Sequence, residues 1–215
     1  ENVEKYYKND AGWEKAEGLL RTLMRERGSQ FEEAKDEAAF YGPKIDIQMK
    51  NVNGKEDTAF TVQYDFCMPE RFDLSYIGED GAKHRAFVVH RSSIGAIERI
   101  MAFLIEKYAG AFPLWLSPVQ IKVLSVSEKH AAYAQEVVSE LKAAGIRAEA
   151  DASNESLGKK IRNAKQEKIP YLLVVGDKEV EAKMISVESR DHGKLDTLSV
   201  EDFVTRTTEE IKTRK

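Results

Sequence analysis

The segment Ala111–Pro118, read Ala-Phe-Pro-Leu-Trp-Leu-Ser-Pro, separates two hydrophobic patterns that one sheet cannot serve. Proline lacks the N–H that a helix or sheet interior uses, so two prolines this close mark a connector. Before it, apolar residues recur at every second position. After it, short apolar runs alternate with helical stripes. The expectation is two domains, 1–113 and 114–215. Charge shifts at the same place: residues 1–113 carry 16 basic and 20 acidic groups, residues 114–215 carry 17 of each.

Within 1–113, Trp13, Ala16, Leu20, Leu23 and Met24 share one face of a helix predicted over 10–27, with Asp10 as cap and Gly28 as stop. Ile45, Ile47 and Met49 then alternate with polar residues, as do Phe60, Val62, Tyr64 and Phe66. Two such runs around Asn53-Gly54 predict an antiparallel hairpin with one apolar and one polar face, ended by Pro69. A turn at Gly78–Gly81 precedes a strand at Phe87–His90. Ile97, Ile100, Met101, Leu104, Ile105 and Tyr108 form a helical apolar stripe closed by Gly110.

Beyond the connector the expected order is strand 121–126, helix 129–143, strand 146–150 and helix 157–168. Strands 171–175 and 184–187 and a helix 200–212 follow. That order predicts an α/β layer with a largely parallel sheet. The overall fold class is therefore α+β followed by α/β.

Composition narrows the function. Of 215 residues, 42% are hydrophobic, enough for a core, and no apolar run approaches the roughly 18 residues of a membrane span. The net charge of −4 argues against a protein that coats DNA, while leaving room for RNA binding through a local patch. The single cysteine, Cys67, excludes an internal disulfide and fits a reducing compartment. The chain starts at Glu1, without an initiator Met or a charged-then-apolar leader, so it is expected to be a non-secreted piece of something longer.

Three segments say more. They are Ala39–Asp46 (AFYGPKID), Thr61–Phe66 (TVQYDF) with Pro69–Phe72, and His90–Arg99 (HRSSIGAIER) running on to Gly110–Gln120. In this order and spacing they resemble the C-terminal half of bacterial threonyl-tRNA synthetases, over essentially the whole chain. Trp13–Glu17 looks like the stretch after that family's second class II motif. The resemblance implies part of an antiparallel class II catalytic sheet with helices, then a three-layer α/β anticodon-binding domain with a mostly parallel sheet. It implies an enzyme that activates threonine with ATP and transfers it to tRNA(Thr), with Mg2+ and Zn2+ as cofactors. It further implies a cytoplasmic homodimeric parent that contacts neither membrane nor DNA. This chain alone is expected to be monomeric and catalytically incompetent. The alternative is a non-catalytic RNA-binding paralogue that kept the fold. A synthetase for proline, glycine or histidine is disfavoured by Tyr41–Lys44 and Thr61–Gln63.

Residue by residue, the resemblance makes Arg99 and Gln63 catalytic, with Arg99 on the ATP phosphates. An Arg fork at a helix start suits phosphate, although spacing alone favours an ordinary helix Arg paired with a nearby carboxylate such as Glu98. Gly95 lies where ATP comes close, and Ala96 stands where the family usually has Ser. Tyr41, Gln63 and His90 match the substrate pocket. His90 matches one of three zinc ligands; the other two would lie upstream of Glu1, so this chain alone is expected to bind no zinc tightly. Lys44 could face phosphate or tRNA. Asp57-Thr58 replaces the Trp-Gln of many relatives. Glu179 and Asn154 match anticodon-reading positions, as an amide and a carboxylate can bond exposed base edges. Lys159, Lys160, Arg162, Lys165 and Lys168 form a basic strip for the RNA backbone. Glu188 stands where many relatives have Arg, with Arg190 as a substitute.

Overall fold

A computed structural model describes residues 4–214. The chain divides into two compact units, Glu1–Phe103 and Leu104–Lys215, and the double-proline connector lies within the second.

The first unit begins with α1 (Asp10–Glu26). Its cap is Asn9 rather than Asp10: the Asn9 Oδ1 accepts from the Gly12 N–H at 3.0 Å, satisfying a donor the helix leaves free. Trp13 meets Phe66 edge to face at 5.4 Å and donates its indole N–H to the Tyr7 carbonyl at 2.9 Å. Ala16 is buried beneath α1, whereas Leu23 stays exposed.

Strands β1 (Lys44–Lys50) and β2 (Glu56–Asp65) pair antiparallel. The Asn51 Oδ1 accepts from the Asn53 and Lys55 N–H groups and closes the connecting loop. The register steps from Ile47↔Phe60 to Gln48↔Thr58, which leaves Ala59 as a bulge. The expected clean apolar and polar faces do not form. Most of β2 is half-buried on both sides, and its buried residues are Ala59 and Asp65. The strand stops at Asp65, and Pro69 sits in the first turn of a short helix, α2 (Cys67–Arg71), where a missing N–H costs nothing. β3 (Ser75–Ile77) and β4 (Lys83–Arg85) make a small exposed hairpin. β5 (Val88–Arg91) pairs antiparallel with β2, giving the order β1-β2-β5. α3 (Ile97–Tyr108) follows. Its predicted stripe is largely open: Ile97, Met101 and Ile105 are exposed, and the buried residue is Phe103.

The second unit holds β6 (Ile121–Ser125), a 3-10 turn (Glu128–His130), α4 (Ala131–Ala143), β7 (Ala148–Asp151) and α5 (Leu157–Gln166). It continues through β8 (Tyr171–Val175), α6 (Asp177–Ala182), β9 (Met184–Ser189), β10 (Gly193–Ser199) and α7 (Val200–Thr213). The sheet order is β10-β9-β8-β6-β7. β7, β6 and β8 are parallel, and β9 and β10 extend the sheet antiparallel on one side. Val137, Val138 and Leu141 of α4 and Phe203 of α7 pack one face of the sheet, with Ile121, Leu173 and Ile185. On the other face α5 brings Ala164 against Leu124 and Leu172. Helices on both faces make three layers and place the parallel strands' C-terminal ends along one edge.

Candidate functional site

In the first unit, the chain just before β1 runs against the end of β2. The Tyr64 N–H donates to the Pro43 carbonyl at 2.9 Å and the Phe66 N–H to the Tyr41 carbonyl at 3.3 Å. This approach needs a glycine: a Cβ on Gly42 would lie 1.8 Å from the Tyr64 carbonyl oxygen. The Tyr41 hydroxyl then donates to the Gln63 Oε1. Gln63 sits directly opposite His90 across β2 and β5. The Tyr41 ring meets the His90 ring edge-on at 5.8 Å. Three residues that sequence reading assigned to one pocket are thus side by side.

A fourth member was not anticipated. Asp65 is 1% exposed. Its Oδ1 accepts from the Cys67 and Met68 N–H groups, both at 2.9 Å, and its Oδ2 lies 2.8 Å from the His90 Nε2. The available signal was an Asp two residues before a short helix start, a position where its side chain can cap free N–H groups. On the same part of the sheet Lys44 is held in an ion pair with Asp46, whose Oδ1 is buried without a hydrogen-bond partner among the described residues. Lys44 is therefore not a free cation for phosphate or tRNA.

Further back along β2 lies the bulge. The Arg99 Nη1 donates to the Thr58 carbonyl, not to Glu98. Arg99 is exposed, and its Nε and Nη2 have no partner among the described residues. Gly95 adopts φ +73°, and a Cβ there would lie 1.9 Å from the Ala59 carbonyl oxygen. Ser92 Oγ accepts the Gly95 N–H at 2.8 Å and shapes the turn into α3. The Arg99 anchor and Gln63 are five residues apart on β2, about 16 Å of strand. A loose guanidinium here can grip phosphate while the Tyr41–Gln63–His90 group handles an amino acid.

His90 can offer one nitrogen to a metal, because Nε2 is occupied by Asp65 and Nδ1 has no hydrogen-bond partner among the described residues. An imidazole held by a carboxylate through its other nitrogen is the usual form of a metal-binding histidine. Among the described residues no group of three or more His, Cys, Asp or Glu side chains could hold a metal ion. The donor fits zinc; a full ligand set is not formed by these residues.

In the second unit the predicted RNA-reading residues, Asn154 and Glu179, follow β7 and β8 beyond the C-terminal ends of the parallel strands. α4 follows β6 and α5 follows β7 on opposite faces of the sheet, so the chain leaves the C-terminal ends of these two neighbouring strands in opposite directions. Asn154 is exposed in the loop after β7. Glu179 is half-buried on α6; its Oε2 accepts from the Gly176 N–H at 2.9 Å and its Oε1 from the Ser186 hydroxyl at 2.7 Å. Burial pushes this carboxyl up, but the hydrogen bonds from Ser186 and the backbone outweigh it and hold it below the usual range. His130 is buried and joins the loop after β6 to the start of α6. Its Nδ1 accepts from the Ser127 N–H at 3.2 Å and its Nε2 lies 3.1 Å from the Asp177 Oδ1. Hydrogen bonds from Lys129 and then His130 lower the Asp177 carboxyl.

The basic strip on α5 is not one surface. Lys160 is 4% exposed, with Nζ 3.3 Å from each of the Ser125 carbonyl, the Ser125 hydroxyl and the Asp151 carbonyl. It braces the ends of β6 and β7 and cannot face RNA. Lys159 pairs with Glu155, Lys165 with Glu188 at 2.6 Å, and Lys168 donates to the Ala109 carbonyl. Arg162 is left exposed. Arg190 is no free substitute for the missing Arg at 188: it donates to the Phe112 and Lys168 carbonyls and pairs with Asp191.

Comparison with known proteins agrees with these two units. Residues 2–108 match the family model for the tRNA synthetase class II core domain (G, H, P, S and T). Residues 120–210 match the anticodon binding domain. The chain therefore belongs to the class II aminoacyl-tRNA synthetases. It is 52% identical over 214 residues to the threonine–tRNA ligase of Clostridium perfringens strain 13, covering all of this chain and 33% of that protein. It is 50% identical over 211 residues to that of Listeria monocytogenes EGD-e, covering 98% and 33%. Within the class, it is a member of the threonine–tRNA ligase family and matches the C-terminal part of those proteins. It spans about a third of the length of the curated relatives it matches. Its fold superposes on the crystal structure titled as the RNA binding domain of threonyl-tRNA synthetase from Cryptosporidium parvum, with TM-score 0.87 and 31% identity over 95% of this chain and 52% of that one. A putative threonyl-tRNA synthetase from Aeropyrum pernix aligns with TM-score 0.72 and 26% identity, over 97% and 50%.

Proposed function

We propose that this chain supplies the phosphate-binding arginine, part of the threonine pocket and the anticodon-reading surface of a threonine–tRNA ligase. The observation that supports this most is the meeting of Tyr41, Gln63 and His90 at one end of β2, with Arg99 anchored on the same strand. In the proposed reaction, the threonine carboxylate attacks the α-phosphate of ATP and pyrophosphate leaves; a tRNA ribose hydroxyl then attacks the carbonyl carbon of the resulting adenylate, forming the ester and releasing AMP and a proton. Arg99 binds the phosphates carrying the growing negative charge, which a fixed cation stabilises. Gln63 and Tyr41 hold the amino acid at its polar groups, and their mutual hydrogen bond pre-orients both. Zinc, when bound, supplies a Lewis acid for the amino and hydroxyl groups of threonine, with His90 as the ligand this chain contributes. Mg2+ accompanies the ATP. Asn154 and Glu179 meet anticodon bases, and Arg162 meets the RNA backbone. The complete enzyme is proposed to be a cytoplasmic homodimer, and this chain on its own a monomer. Among the described residues no helix is long and apolar enough to cross a membrane.

Threonine-dependent ATP–pyrophosphate exchange tests the division of labour. The isolated 215-residue chain is expected to show none, because among the described residues the proposed zinc site has a single ligand. In the full-length enzyme, Arg99→Ala is expected to lower exchange by about 10²–10³-fold, the usual effect of removing one placed charge-stabilising donor. Robust exchange by the chain alone, or an unimpaired Arg99→Ala enzyme, would contradict the proposal.

A further inference from the structure

We infer that Asp65 is a positioning residue that fixes the His90 imidazole as its Nε2–H tautomer, leaving Nδ1 with its lone pair for the pocket. The inference rests on the reading of His90 as a pocket residue, and deepens it.

Asp65 is 1% exposed, and its Oδ1 already accepts two backbone N–H groups, from Cys67 and Met68. Those bonds tie it to the start of α2, so its orientation is set by the backbone. Its Oδ2 then faces His90 Nε2 at 2.8 Å. An ionised carboxylate only accepts, so the hydrogen in this contact belongs to the ring nitrogen. A neutral imidazole carries one ring N–H, which leaves Nδ1 bare. No hydrogen-bond partner of Nδ1 is present among the described residues. Turning the ring away would strip a buried oxygen of its donor, so the rotamer and tautomer are locked together. His90 can therefore give an electron pair to a Lewis acid or accept an N–H, but cannot donate to a substrate oxygen. Sequence alone hides this, because Asp65 and His90 are 25 residues apart and belong to different strands.

The tautomer is directly readable from two-bond 1H–15N correlation spectra of the uniformly labelled 215-residue chain, recorded at pH 8 without metal. His90 is expected to show a protonated Nε2 and an unprotonated Nδ1. Asp65→Asn is the informative variant. Its side-chain oxygen can still accept the Cys67 and Met68 N–H groups, as Asn serves helix starts as well as Asp. Its amide would then donate to Nε2, and the tautomer should invert to Nδ1–H. A predominantly Nδ1–H ring in the unsubstituted chain overturns the inference, whether or not the variant folds. So does a folded Asp65→Asn chain with the tautomer unchanged. In the zinc-loaded full-length enzyme, the same variant is expected to lose about 10–100-fold in zinc affinity against a competing chelator. Inversion of the tautomer with zinc affinity unchanged supports the role of Asp65 and removes His90 from the zinc ligands.

Discussion

At Gly95, unlike the exposed positions around it, a single added methyl group would meet a backbone carbonyl, and φ is already +73°. Gly95→Ala is therefore expected to destabilise the first unit by about 2–4 kcal/mol, from overpacking and left-handed strain together. Urea titration followed by the fluorescence of Trp13 measures it; a loss within 0.5 kcal/mol, the range of an ordinary surface change, would contradict the geometry. A second residue reports through pH. Tyr171 is buried in the second unit and its hydroxyl donates to Glu210 Oε2 at 2.8 Å. Burial first, and then the Glu210 hydrogen bond, push this phenol up to about 12. The native state thus keeps a proton that the unfolded chain releases near pH 10. The stability this supplies is complete below pH 10 and is lost as pH rises through about 12. In Tyr171→Phe the fall in stability between those pH values should be shallower than in the parent chain. Equal slopes in denaturant titrations across that range would contradict the assignment. Single residues were unevenly legible. Tyr41, Gln63 and His90 were singled out because a collinear motif carries them. Asp65 and Lys160 were missed because one looked like an exposed strand carboxylate and the other like one more lysine on a basic helix. Only the third dimension buries them.

Elements were legible wherever the period was clean. Ile45, Ile47 and Met49, and the apolar stripe of α4, gave their strand and helix directly. β10 was missed because Lys194–Leu198 has apolar residues only at 195 and 198, and a register shift between Lys194 and Thr197 breaks its alternation. β3 and β4 are three residues each and wholly exposed, so burial left no mark on their sequence. The bulge at Ala59 has no sequence signature, yet it directs the Thr58 and Ala59 carbonyls at Arg99 and Gly95. At this scale Lys160 matters most. It ties the ends of β6 and β7 through backbone carbonyls. Lys160→Met keeps the stem and removes the donor, leaving those acceptors unpaired. A loss of about 1–3 kcal/mol from the second unit is expected by thermal denaturation. An unchanged or raised midpoint would show that the ammonium contributes nothing net there.

For the whole chain, the two units differ in how completely they bury their sheets. β6 and β8 are covered on both faces, whereas β1 and β2 are mostly half-buried and the apolar stripe of α3 is exposed. Amides of β6 and β8 are expected to exchange with deuterium far more slowly than those of β1 and β2. Uniform protection across both sheets would show that the first sheet is better supported than its burial implies. The fold class was legible at this scale, because the change of pattern at the double proline separates an antiparallel from an α/β arrangement. The anticodon surface was less so, since its charge was counted along α5 without knowing which lysines turn inward. The measurement that bears most directly on the proposed role is binding of the purified chain to anticodon stem-loops. The stem-loop of tRNA(Thr) should bind saturably, anticodon substitutions should weaken it, and Asn154→Ala should erase part of that discrimination. Equal affinity for stem-loops of any anticodon, or no binding at low salt, would contradict the assignment of this chain to anticodon reading in a threonine–tRNA ligase.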